Sequence, residues 1–129
     1  MAATVDTARF FADCDVIDIS FENGSVMEVY VAISAEQRTR GLASIASIDL
    51  DGMLFYFDSP SYVPFTAEKM LMPIDIAWYS DSGDLLSLQR DVAPGTRALY
   101  SSRAFSYVLE APPGIIPESS LKIGGSDGA

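Results

Sequence analysis

The sequence predicts a mainly β protein, α+β at most: an antiparallel β-barrel or sandwich-like single domain with one or two short helices. Three observations carry this expectation. Apolar residues come in short β-prone runs closed off by Gly, Pro, Asn or Asp, as in Gly52-Met53-Leu54-Phe55-Tyr56-Phe57 and Pro73-Ile74-Asp75-Ile76-Ala77-Trp78. The first runs alternate with the period of two that a half-buried strand shows. The intervals between runs leave little room for the long crossover helices of a parallel sheet. A chain of 129 residues, 49% hydrophobic, suits one domain over 1–129, large enough to bury a core without metal or disulfide help.

In order, residues 1–13 are expected to be an N-terminal arm, for which Ala8-Arg9-Phe10-Phe11-Ala12 allows either a helical turn or extended chain. Ile17, Ile19 and Phe21 alternate with Asp18, Ser20 and Glu22, and Met27, Val29, Val31 and Ile33 answer them across Asn23-Gly24. That pair favours a type I′ hairpin turn, because both residues tolerate positive φ. Ser34-Ala35-Glu36-Gln37 has capping-box spacing and should start a short helix, with Arg38 and Arg40 in its last turn and Gly41 to stop it. A strand follows over 53–57, then turn chemistry in Asp58-Ser59-Pro60-Ser61. Pro73 opens a strand to Tyr79, Asp81-Ser82-Gly83-Asp84 turns it, and Leu85 to Val92 returns. Phe105 to Ala111 is a further strand, broken by Pro112-Pro113-Gly114. Ala98-Leu99-Tyr100 and Leu121-Lys122-Ile123 are candidate short strands, and residues 124–129 read as a flexible tail.

Composition excludes several function classes. There is no histidine, which removes the commonest neutral-pH base, the Ser-His and Cys-His nucleophile pairs and every histidine metal site. The single cysteine, Cys14, excludes an intrachain disulfide and any multi-cysteine metal centre; it reads as a small core residue. The net charge of -10 repels phosphate and anionic lipid, so neither nucleic acid nor membrane is an expected partner. The start has no basic residue ahead of an apolar segment, so no signal peptide is expected. The expected location is the cytoplasm, or a particle assembled there. Asp49-x-Asp51-Gly52 lacks the further ligands of a calcium loop, and Ser119-x-x-Lys122 lacks the partner motifs of a serine-lysine nucleophile. Neither a metal nor a cofactor is called for.

The order of motifs carries a resemblance. Arg38-x-Arg40-Gly41-Leu42, Gly52-Met53-Leu54-Phe55-x-Phe57, Pro73-Ile74-Asp75-Ile76, Tyr100-Ser101-Ser102 and Tyr107-Val108-Leu109-Glu110 with Gly114 together resemble the domain-of-unknown-function family 192, over about 28–125. The resemblance implies a compact, barrel-like β domain with short helices, found in bacteria, archaea and some phages, without an established activity. One departure stands out. Where the family usually has Phe-Trp-Met-Lys-Asn-Thr, this chain has Phe65-Thr66-Ala67-Glu68-Lys69-Met70, with Glu68 at the family's lysine. If that segment forms a ligand site, this chain has lost it or changed its ligand.

Asp75 and Glu110 are carboxylates within otherwise apolar strands, and a buried carboxylate requires a partner such as Arg38, Arg40, Arg103, a tyrosine hydroxyl or backbone amides. A structural network is the first reading of both. The expected contact set for a ligand or partner is Arg38, Arg40, Phe65, Glu68, Lys69, Asp75, Tyr100 and Glu110, with no catalytic residue. The expected function is a non-catalytic binding or structural module, with residues 62–72 as contact surface toward a protein partner or a second copy, in an assembly such as a phage particle. The competing reading is a small-molecule-binding protein or a carboxylate-dependent hydrolase using Asp75 and Glu110.

Overall fold

A computed structural model describes residues 11–123. Most of the expected arm and all of the expected tail lie outside the described residues. Six strands form one sheet: β1 (Asp15–Ser20), β2 (Val26–Ala32), β3 (Gly52–Ser61), β4 (Ile74–Tyr79), β5 (Leu85–Val92) and β6 (Phe105–Ala111). The short helix α1 (Ala35–Arg40) joins β2 to β3. The fold is mainly β, as expected, and the strand order is β1-β2-β3-β6-β4-β5. All ladders are antiparallel except β2 with β3, which run parallel because the α1 connection returns the chain to the same end.

Three local expectations are corrected. Neither Glu22 nor Asn23 has positive φ, so the first hairpin turn is not type I′; only Gly24, at φ 91°, is left-handed. Phe21 donates to Ser25 and Gly24 donates to Phe21, each at 2.9 Å, the bonding of a type I turn closed by a glycine bulge. Asp58-Ser59-Pro60-Ser61 does not turn the chain. It is absorbed as a bulge of β3, whose pairing with β6 jumps from Tyr56 opposite Tyr107 to Ser61 opposite Phe105. Leu99 and Leu121 each make one bridge, to Phe65 and Phe21, rather than strands.

The register divides the sheet into two faces. Tyr30, Met53, Phe55, Ile76, Trp78 and Val108 lie in one apolar cluster with Leu42, Ile45, Ala67 and Met70 from the loops above. Val29, Leu54, Ala77, Tyr79, Leu109 and Ala111 lie in the other, closed by Ile116 and Leu121. β4 is buried along its whole length because it is covered on both faces. Glu110 stands opposite Ile76 and Met53, and so belongs to the first face; Asp75 stands opposite Ala111, and so belongs to the second.

Candidate functional site

The cavity lies over the first face and has a volume of about 510 Å³, within the usual range of small-ligand sites. The sequence builds it from three pieces. The first is α1. Ser34 accepts from the Gln37 amide at 3.0 Å while the Gln37 side chain accepts from the Ser34 amide at 3.0 Å, the reciprocal cap that the spacing predicts. Gly41 then stops the helix at φ 47°, its amide bonded to the Gln37 carbonyl, and a Cβ there would stand 3.2 Å from the Phe55 ring. Arg38 and Arg40, in the last turn of the helix, and Gly41 after it line the cavity.

The second piece is the segment 61–70. Phe65 and Leu99 exchange backbone hydrogen bonds, the Ala67 carbonyl accepts from Gly95 at 2.8 Å, and the Ser44 amide donates to the Lys69 carbonyl at 2.9 Å. With Ala67 buried, Phe65, Thr66, Glu68 and Lys69 are left lining the opening. The third piece is the aromatic wall. Phe65 meets Phe55 edge-on at 5.2 Å between centroids, and Phe57 meets Phe105 edge-on at 5.4 Å, the arrangement that ring quadrupoles favour.

Glu110 also lines the cavity. It is 1% exposed, and its Oε1 has no hydrogen-bond partner among the described residues. Burial alone pushes its carboxyl up to about 8, so near neutral pH the group is mostly protonated and can both donate and accept. Among the described residues its Oε1 lacks the partner that a buried carboxylate was expected to require; holding the proton spares the group the cost of a buried charge, but not that of an unbonded polar atom.

Asp75 has the opposite solution. Arg90 Nη1 donates to Oδ2 at 2.8 Å, the Gly114 amide donates to Oδ2 at 2.9 Å and the Asp91 amide donates to Oδ1 at 2.7 Å. Burial raises its pKa, yet the two backbone amides and Arg90 outweigh it and hold the carboxyl below the usual range. Asp75 therefore ties β4 to the bulge of β5 and to the turn after β6. Of the partners foreseen, backbone amides serve; the cation is Arg90 rather than Arg38, Arg40 or Arg103. Because Asp75 and Glu110 occupy opposite faces, the expectation that both act on one ligand is corrected.

Arg38, Arg40, Phe65, Glu68, Lys69 and Glu110 are brought together around the cavity, whereas Asp75 and Tyr100 are not. Arg38 donates to the carbonyls of Ile33 and of Tyr56, the latter at 3.1 Å, and its guanidinium sits 4.5 Å from the centre of the Phe57 ring. Arg40 donates to Asp13 Oδ1 at 2.9 Å and to Cys14 Sγ at 3.2 Å. Burial, then the Asp13 charge, pushes the Cys14 thiol up, which fits a packed residue better than a reactive one. Glu68 faces Arg97 at 3.5 Å, an exposed pair. Sequence reasoning placed Phe55 and Phe57 only in the core; nothing in a β-strand pattern separates a core aromatic from one that walls an opening. Among the described residues no three His, Cys, Asp or Glu side chains come together as a metal ion would need, and no helix is long and apolar enough to cross a membrane.

With this geometry in view, the class is that of a mainly β domain carrying a cavity against its sheet. The profile of domain-of-unknown-function family 192, DUF192, described as "Uncharacterized ACR", matches residues 18–126. The chain belongs to this family. Among solved structures, a protein of unknown function from Novosphingobium aromaticivorans DSM 12444 is similar at TM-score 0.72 and 18% identity, over 84% of this chain and 83% of that one. A protein from Sinorhizobium meliloti 1021 described as a candidate transcription regulator is similar at TM-score 0.71 and 21% identity, over 84% of this chain and 92% of that one. These likenesses concern the fold. No curated protein matched the chain.

Proposed function

We propose that this protein is a non-catalytic small-molecule-binding module and that the cavity over Glu110 is its site. The observation that carries the reading is the Glu110 carboxyl, almost fully buried, its Oε1 without a hydrogen-bond partner among the described residues, and forming part of the lining of an open cavity. A polar group so placed costs stability unless something bonds it, and a ligand supplies that bond. Hydrolysis by paired carboxylates is not favoured, because Asp75 is committed on the far face. Amide NMR of the chain titrated with phenol and with benzamide tests the reading. Shifts should concentrate at Gly41, Phe65, Lys69 and Glu110; no shift, or shifts scattered over β1 and β5, would contradict it.

A second reading has its own support. Tyr62, Leu71 and Tyr100 are 75%, 62% and 66% exposed, and the bridge between Phe65 and Leu99 draws the segments of Tyr62 and Tyr100 together. Such apolar exposure suits a protein contact at residues 62–72, as in a particle or a homo-oligomer. Light scattering should then find a species larger than the monomer, and Tyr62→Ser with Leu71→Ser should return it to one chain.

A further inference from the structure

The cavity is layered, and the layers select a ligand class. At the floor stands Glu110, protonated near neutral pH and able to meet a neutral polar group. The walls are Phe55, Phe57 and Phe65, packed edge to face on one another, which give an apolar surface against which a flat body can lie. At the mouth the charges do not cancel. Arg40 is matched by Asp13 at 2.9 Å and Glu68 by Arg97 at 3.5 Å. Among the described residues, Arg38 is bonded only to neutral carbonyls and a ring face, and Lys69 has no ion pair. The rim thus carries net positive charge on a chain whose total is -10, and such a local reversal attracts an anion that the rest of the surface repels. Nor does the floor repel it, since burial is what governs Glu110. A cation would pass Arg38 and Lys69, which have no ion pair among the described residues, and then have to ionise a carboxyl that burial keeps neutral.

We propose that the cavity takes a small carboxylate with a flat apolar body, its anionic end at Lys69 and Arg38 and a hydroxyl or carbonyl at its far end against Glu110. This rests on the small-molecule reading above and narrows it to a class. It also gives the segment 65–70 a role: Lys69 supplies the rim charge, while the adjacent Glu68 faces Arg97 at 3.5 Å and leaves that charge in place.

Calorimetric and NMR titrations of the whole chain, near neutral pH and at low salt, test the proposal with 4-hydroxybenzoate, benzoate and tyramine. 4-Hydroxybenzoate should bind at least about tenfold more tightly than tyramine, roughly 1.4 kcal/mol, and more tightly than benzoate. Lys69→Glu, on an exposed side chain and so harmless to the fold, should weaken 4-hydroxybenzoate about tenfold. Glu110→Gln, which keeps a donor and an acceptor, should retain the preference for 4-hydroxybenzoate over benzoate, and Glu110→Leu should abolish it. Tyramine binding as tightly as 4-hydroxybenzoate, or an unchanged affinity in Lys69→Glu, would overturn the anion class while leaving a small-molecule site. Loss of binding by all three probes, with no shift at the lining amides, would overturn both.

Discussion

Asp75 and Glu110 meet the same problem, a carboxyl inside a sheet, with opposite solutions, and their pH dependences should run in opposite directions. Asp75 has a lowered pKa, so its contribution is present above the unfolded value of 3.8 and is lost as pH falls through the folded value. Asp75→Asn should cost about 1–3 kcal/mol near neutral pH and progressively less in acid, as urea denaturation would read. Glu110 has a raised pKa, so its neutral form is fully compatible with the fold below the unfolded value of 4.5, and stability is lost as pH rises from there through about 8. Glu110→Gln should therefore be near neutral at the acid end of that window and stabilising by on the order of a few kcal/mol above it. Equal effects at both ends would contradict a carboxyl whose Oε1 lacks a partner among the described residues. Gly52 is a third decisive residue. A Cβ there would lie 2.4 Å from the Glu110 carbonyl oxygen and 3.1 Å from Ala111 Cβ, so it is the absence of a side chain that lets β3 approach β6. Gly52→Ala should cost about 1–3 kcal/mol, seen as a fall in Tm.

At the scale of elements, what was legible in the sequence is what depends on local chemistry. The α1 cap is written in Ser34 and Gln37, and the strand starts at Ile74 and Phe105 follow their apolar runs. The β3 bulge was not legible, because Asp58-Ser59-Pro60 reads as a turn unless one knows that β6 lies alongside it. The parallel pairing of β2 with β3 is also a tertiary fact, set by how α1 returns the chain. Arg38, Arg40, Phe65, Glu68, Lys69 and Glu110 could be singled out by residue type, yet their sharing of one cavity, without Asp75, depends on the strand register. Asp49 and Asp51 show the same limit. The pair looks like part of a cation loop, whereas Asp49 accepts from the Tyr30 hydroxyl at 2.6 Å and Asp51 accepts from the Glu28 amide at 2.9 Å, bracing the start of the parallel ladder.

At the scale of the whole molecule, a chain of net charge -10 places Arg38, Arg40 and Lys69 on the lining of a cavity that also includes the buried Glu110. Binding of an anion there should weaken as salt rises, because the exposed Lys69 charge is screened while the Phe walls are not. The measurement that bears most directly on this account is a carbon-detected NMR titration of the Glu110 carboxyl, first free and then with 4-hydroxybenzoate. The midpoint should lie near 8 in the free protein and rise further with the probe, since a ligand that accepts from the neutral carboxyl favours the protonated form. A midpoint in the ordinary glutamate range, unmoved by the probe, would mean that Glu110 already has its partner and that the cavity floor is not a binding group.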